Sequence, residues 1–193
     1  MKLVIIKYNA GNVQSVNYAL QRLNISATLT DDADEILSAD KIIFPGVGAA
    51  TPAMNYLKEK NLDALIKNIK QPFFGVCLGM QLLCNHSEEG DTKCLGVFGQ
   101  NVKKFVGKEK IPQMGWNNIY DLKSPLFKNV DENAYMYFVH SYYAELSKNT
   151  IAKTMYMTEY SAALQKDNFY AVQFHPEKSS AAGEKILKNF VEL

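Results

Sequence analysis

Cys77 stands in Gly75-Val76-Cys77-Leu78-Gly79-Met80-Gln81, directly after the apolar run Pro72-Phe73-Phe74. A strand that ends in G-x-C-x-G and turns at once into a helix holds its central side chain on a sharp elbow, where flanking glycines let backbones approach closely. The thiol is then presented at a helix N-terminus, whose unpaired N–H groups and dipole favour the thiolate, the form that attacks a carbonyl carbon. A lone cysteine is more often a small buried apolar residue. Here the two glycines and the strand-to-helix context argue for a nucleophile. Such a cysteine needs a base within reach and a third group to orient that base. His175-Pro176-Glu177 follows the strand-like residues 169–174 and supplies both, because Pro176 stiffens the turn and Glu177 can hold one imidazole tautomer. Acyl transfer also needs donors aimed at the developing oxyanion. The N–H of Leu78 is one candidate, and the loop Pro45-Gly46-Val47-Gly48 offers a second. That loop could equally be a plain connector or a phosphate cradle, although it lacks the Lys-Ser/Thr of a P-loop.

The elements that must position these residues alternate in the first half of the chain. Residues 2–7 form a short, nearly all-apolar run, as expected of a parallel strand covered on both faces, and residues 25–30, 41–44 and 72–76 read as the next strands. Between them, Val13, Val16, Leu20 and Leu23 recur at helical spacing, a short helix falls at 34–37, and helical patterns run through 54–57 and 62–69. A further helix begins at Leu78. This alternation predicts an open, mostly parallel sheet flanked by helices, flavodoxin-like, with right-handed crossovers. Ligands of such sheets bind beyond the carboxyl ends of the strands, so the Cys77 elbow and His175 should meet in one crevice. Strand-like runs dominate the second half, at 97–106, 116–121, 135–139, 151–157, 161–165 and 169–174, and an antiparallel extension of the sheet is their natural home. Residues 180–191 close the chain as a helix with Ile186, Leu187, Phe190 and Val191 on one stripe.

Residues 1–193 suit one domain. With 21 basic and 20 acidic residues and no basic run, the chain has no patch for nucleic acid or a membrane surface, and its ligand is small or another protein. No stretch approaches the roughly 18 apolar residues of a membrane span, and the apolar run at 1–6 is too short for a signal peptide, so a cytoplasmic protein is expected. Three cysteines, an odd number, argue against a disulfide framework. Cys77 and Cys84, on one expected helix, would lie roughly 10 Å apart. No metal is expected, since only His86, His140 and His175 are available and no pair has ligand spacing. His140 is expected to be a satisfied structural histidine rather than a second base. A helix continuing past Gln81 would bring Glu89 to a similar face, but Glu89-Gly90-Asp91 reads as a turn.

GVCLGMQ at 75–81 with FHPE at 174–177 resembles the class I glutamine amidotransferases, with Cys77, His175 and Glu177 in the places of that family's triad. YNAGN at 8–12, PGVG at 45–48, PQMGWN at 112–117, YFVHSY at 137–142 and HPEKS at 175–179 narrow the resemblance. Together they are similar to the branch serving histidine biosynthesis, from end to end. There, a glutaminase subunit hydrolyses L-glutamine without a cofactor and passes ammonia to a separate (βα)8-barrel synthase subunit making imidazole glycerol phosphate and AICAR. The resemblance implies Gly48, Gln81, Glu89, Ser141 and Tyr142 for glutamine, and Val47 with Leu78 for the oxyanion hole. It also implies Asn12, Trp116, Tyr137 and Lys178 for the partner in a heterodimer. Taken alone, Asn12 would serve as a helix N-cap, Trp116 would be core, and Tyr137 could face the exposed side of a strand. Gln113 departs from the pattern, standing where that block often has histidine. PQMGWN and PGVG separate this branch from those serving anthranilate, aminodeoxychorismate or pyridoxal phosphate synthesis. A cysteine peptidase or deglycase on a similar scaffold would instead show glutamine-independent hydrolysis, and a non-catalytic regulatory domain would not need an intact triad.

Overall fold

The computed structural model describes residues 1–8 and 13–193; Asn12 lies outside them. Five short elements alternate first: β1 (Leu3–Ile6), α1 (Val13–Arg22), β2 (Ala27–Thr30), α2 (Ala33–Leu37) and β3 (Lys41–Phe44). Next come α3 (Ala50–Glu59), α4 (Leu62–Asn68), β4 (Phe73–Val76) and α5 (Leu78–Leu83). The second half holds β5 (His86–Ser87), β6 (Thr92–Lys93), β7 (Asn101–Lys104), β8 (Gln113–Asn118), β9 (Tyr135–His140), β10 (Tyr142–Ala144), β11 (Thr150–Tyr156), β12 (Thr158–Lys166), β13 (Phe169–Val172) and α6 (Ser180–Glu192).

The central sheet runs in the order β11-β12-β13-β4-β3-β1-β2. The pairings from β13 through β2 are parallel, and β11 and β12 extend the sheet antiparallel. Side chains alternate across a strand, so each apolar run feeds both faces. Val4, Ile6, Ile42, Phe44 and Phe73 join the core formed with α2, α3 and α4, whereas Leu3, Ile5, Ile43, Phe74 and Val76 join the core formed with α1 and α6. That two-sided burial is why these strands are continuously apolar.

The open, mostly parallel sheet with an antiparallel extension stands as expected. Other second-half strands do not join it. β7 belongs to a separate sheet of order β10-β7-β5-β6, and β8 pairs only with β9 as an antiparallel ribbon. The 97–106 run shortens to Asn101–Lys104, and the 116–121 run becomes Gln113–Asn118. These stretches alternate buried and exposed residues, which suits one-sided sheets and not the two-sided central one. α5 ends at Leu83, so Cys84 is its C-cap and Glu89 sits in a separate 3₁₀ turn. All three cysteines are free and buried. Among the described residues, no helix is long and apolar enough to cross a membrane.

Candidate active site

β3, β4 and β13 lie side by side and parallel, so the segments leaving them emerge at one edge of the sheet. Cys77 follows β4 with φ +53° and ψ −109°, a conformation that few residues other than glycine adopt. Such strain is held only where the surroundings over-determine it. Here Cys77 N–H is donated to the Val172 carbonyl at 2.8 Å, and the Cys77 carbonyl accepts from Gln81 N–H at 3.2 Å as α5 begins. Gly79 supplies the clearance. A Cβ there would stand 2.0 Å from the Phe44 carbonyl oxygen.

His175 follows β13 and is fully buried, with Nδ1 2.8 Å from Glu177 Oε1. A lattice of main-chain bonds fixes its position. His175 N–H is donated to the Tyr137 carbonyl at 2.9 Å, Ser179 Oγ donates to the His175 carbonyl at 2.6 Å, and Tyr137 N–H is donated to that same Oγ at 2.9 Å. Burial works against charging the imidazole, but the negative charge of Cys77, a hydrogen bond with it, and the Glu177 carboxylate outweigh burial and push the His175 pKa up to about 10. The imidazole is thus held ready to carry a positive charge beside the sulfur. The other thiols lack such a partner: burial pushes Cys84 far up and Cys94 up to about 11.

A cleft of about 310 Å³ opens over Cys77 and is lined by Val47, Gly48, Leu78, Gln81, Glu89, Ser141 and Tyr142. Every residue expected to bind the small ligand or its oxyanion therefore borders one space. Glu89 reaches it although the helix does not continue, and its Oε2 accepts Ala50 N–H at 2.8 Å at the start of α3. Leu78 differs from expectation. Its N–H is donated to the Gly46 carbonyl at 3.3 Å, so in this arrangement the loop carbonyl occupies the donor meant for an oxyanion. The Tyr8 hydroxyl holds the same loop by donating to the Pro45 carbonyl.

His140 is satisfied, as expected. Nδ1 donates to the Tyr142 carbonyl at 2.6 Å, and Nε2 lies 3.0 Å from the Tyr160 hydroxyl, which also meets the side-chain amide of Gln113 at 2.7 Å. Burial, joined by the charge on His175, pulls the His140 pKa down to about 4 despite the bond to Tyr142. Gln113 is thus a buried partner of Tyr160 and, through it, of His140.

Trp116 is 53% exposed, not core. It stacks edge-on to its cross-strand partner Tyr137, with ring centroids 6.1 Å apart, and Lys178 Nζ lies 5.9 Å over the Tyr137 ring. Three of the four residues matched to a partner surface therefore form one cluster, flanked by exposed Met114 and Tyr135. Sequence reasoning passed over Tyr8 and Gln173. Gln173 had a signal: it is the one amide in the apolar run at 169–174, and it is completely buried. Among the described residues, no group of His, Cys, Asp or Glu could hold a metal ion.

Residues 4–193 match the family model for glutamine amidotransferase class-I. The chain belongs to this family of glutamine-hydrolysing enzymes. At finer grain it falls in the HisH branch: it is 56% identical to the imidazole glycerol phosphate synthase subunit HisH of Bacteroides fragilis, over the full length of both chains. It is 48% identical to the protein of the same name from Pectobacterium atrosepticum, again over the full length of both. Solved structures agree in fold. A putative GMP synthase protein from Thermoplasma acidophilum superposes with a TM-score of 0.74 at 19% identity, covering 100% of this chain and 93% of that one. PurLQS from Thermotoga maritima gives 0.73 at 14% identity, covering 99% and 97%.

Proposed function

We propose that residues 1–193 act as one glutaminase domain, in which Cys77, His175 and Glu177 convert L-glutamine to glutamate and ammonia. The observation that carries this is the strained Cys77 elbow lining the cleft, with His175 beside its sulfur and the imidazole in turn 2.8 Å from the Glu177 carboxylate. The thiolate adds to the side-chain carboxamide carbon, and His175 gives its proton to the departing nitrogen, which leaves as ammonia. This forms a glutamyl thioester. His175 then takes a proton from water, the hydroxide adds to the thioester, and collapse expels glutamate and restores the thiolate. Glu177 orients the imidazole and supports its charge throughout.

The cleft suits the substrate. Gln81 has both amide hydrogens engaged, to the Tyr142 carbonyl at 2.8 Å and to Gln173 Oε1 at 2.9 Å, so toward a ligand it acts only as an acceptor. Ammonia passes to a (βα)8-barrel synthase subunit of histidine biosynthesis, in a heterodimer of the cytoplasm. The exposed Trp116, Tyr137 and Lys178 cluster is the contact surface, and Tyr137 is bonded through its main chain to His175. Partner binding gates hydrolysis through the Gly46–Val47 peptide. Rotating that plane withdraws the Gly46 carbonyl from Leu78 and turns the Val47 N–H inward, which completes a two-donor oxyanion hole. A glutamine-analogue electrophile tests the assignment. It should label Cys77 alone by peptide mapping, and labelling of Cys84 or Cys94 instead would refute it.

A further inference from the structure

Cys77 is held by a group outside the triad. The side-chain nitrogen of Gln173 lies 3.6 Å from Cys77 Sγ, and both residues are buried. Which end of an amide faces the sulfur is decided by its neighbours. The Tyr142 carbonyl can only accept, so Gln81 must present its NH₂ group there, at 2.8 Å. The second hydrogen of that group then points to Gln173, which must offer its oxygen, at 2.9 Å. The Gln173 NH₂ group is thereby turned toward the sulfur. One main-chain carbonyl sets two amides in sequence: flipping Gln81 would set acceptor against acceptor at Tyr142, and flipping Gln173 would set donor against donor at Gln81.

We infer that Gln173 is a thiolate-holding residue: its N–H donates to Cys77 Sγ and lowers the pH at which the thiol ionises, with Gln81 fixing its orientation. The Val139 carbonyl also lies 3.9 Å from the sulfur, an acceptor that only the thiol form can use. A hydrogen bond to a charged acceptor is roughly twice as strong as one between neutral groups. His175 faces the sulfur from beyond the end of β13 with Glu177 bonded to its ring, Tyr8 from beyond the end of β1 and Tyr160 from β12, while His140, at the end of β9, lines the same cleft. Of these only His175 brings a positive charge to the sulfur. Gln173 adds to it a neutral donor that does not itself titrate.

The inference rests on the proposed nucleophile only for its consequence in turnover, and it is tested without turnover. Rates of alkylation by iodoacetamide are measured against pH for the full chain, with Cys77→Ala as blank, since Cys84 and Cys94 are buried with raised pKa values. Gln173→Met keeps the volume and removes the donor, and Gln173→Asn draws the amide back by one methylene. Either should move the midpoint of the profile upward by about one pH unit, roughly a tenfold loss of thiolate at a given pH below it. Gln81→Met should move it the same way by less, because Gln173 stays but loses its orienting partner. A folded Gln173→Asn or Gln173→Met variant whose midpoint matches wild type overturns the inference, and if the Met variant does not fold the Asn variant decides. Failure of the nucleophile assignment looks different: wild-type alkylation would then map to Cys84 or Cys94.

Discussion

Gly79→Ala places a methyl carbon 2.0 Å from the Phe44 carbonyl oxygen and 3.1 Å from the carbonyl carbon. Carbon and carbonyl oxygen sit at about 3.3 Å even in close attractive contacts, so the end of β3 and the first turn of α5 must separate by about 1 Å. Both sides of the clash are backbone, and no rotamer change relieves it. Helix propensity alone would favour alanine by about 1 kcal/mol, so the sign of the effect is informative. Overpacking of this kind costs about 3 kcal/mol, which in a chain of this size lowers Tm by about 6–12 °C. Catalysis should suffer further. Phe44 leads into the Pro45–Gly46 loop that meets Leu78, and a 1 Å misplacement of reacting groups costs about 100-fold in rate. Urea and thermal unfolding, with glutamine hydrolysis measured in the presence of the partner, read both effects. Gly99→Ala is the control, since no atom lies within 4 Å of its added Cβ and its φ is not left-handed; it should stay within about 0.5 kcal/mol of wild type. A Gly79→Ala protein as stable and active as Gly99→Ala would refute the argument that this glycine sets the elbow.

In the proposed triad His175 moves protons and Glu177 only orients it, so Glu177→Gln should retain more glutaminase activity than His175→Ala, and the reverse order contradicts those roles. His140 should make the protein acid-sensitive. Its folded pKa of about 4 lies below the unfolded value of 6.5, so its contribution is complete above pH 6.5 and is lost as pH falls toward 4. The loss is on the order of 3 kcal/mol, and His140→Gln should flatten the urea-midpoint profile between those limits. If Trp116 lies in the proposed contact surface, Trp116→Ala should weaken assembly with the proposed barrel subunit by about 2 kcal/mol in titration calorimetry, as buried aromatic anchors do, while the free chain keeps its stability because the ring is half exposed.

What was legible in the sequence follows from physics that acts locally. Residues 3–6 and 41–44 are apolar almost without a break because both sheet faces are covered, and G-x-C-x-G marks the elbow because Gly79 faces a carbonyl where no side chain fits. Strand ends then bring Cys77 and His175 to one edge by topology alone. The allocation of the later strands was not legible, since one-sided strands pair with whichever edge lies near. α5 proved shorter than its pattern, yet Glu89 still reached the cleft through a 3₁₀ turn. Trp116 has the composition of a core residue and an exposed position, which only its place on the β8–β9 ribbon explains. Gln113, departing from a block that often holds histidine, keeps a polar partner for Tyr160. The Gln81–Gln173 pair depends on residues 92 positions apart and could not be read locally.

Release of glutamate from glutamine by the purified chain, alone and with the barrel subunit carrying its acceptor ligand, tests the central claim most directly when wild type is compared with Cys77→Ala. Wild type should hydrolyse glutamine slowly alone and roughly 100-fold faster in the loaded complex, equivalent to about 2.7 kcal/mol of differential stabilisation of the competent loop. Cys77→Ala should release no glutamate in either state, while its complex still uses added ammonia. Glutamate release by the Cys77→Ala complex at the wild-type rate would contradict the account.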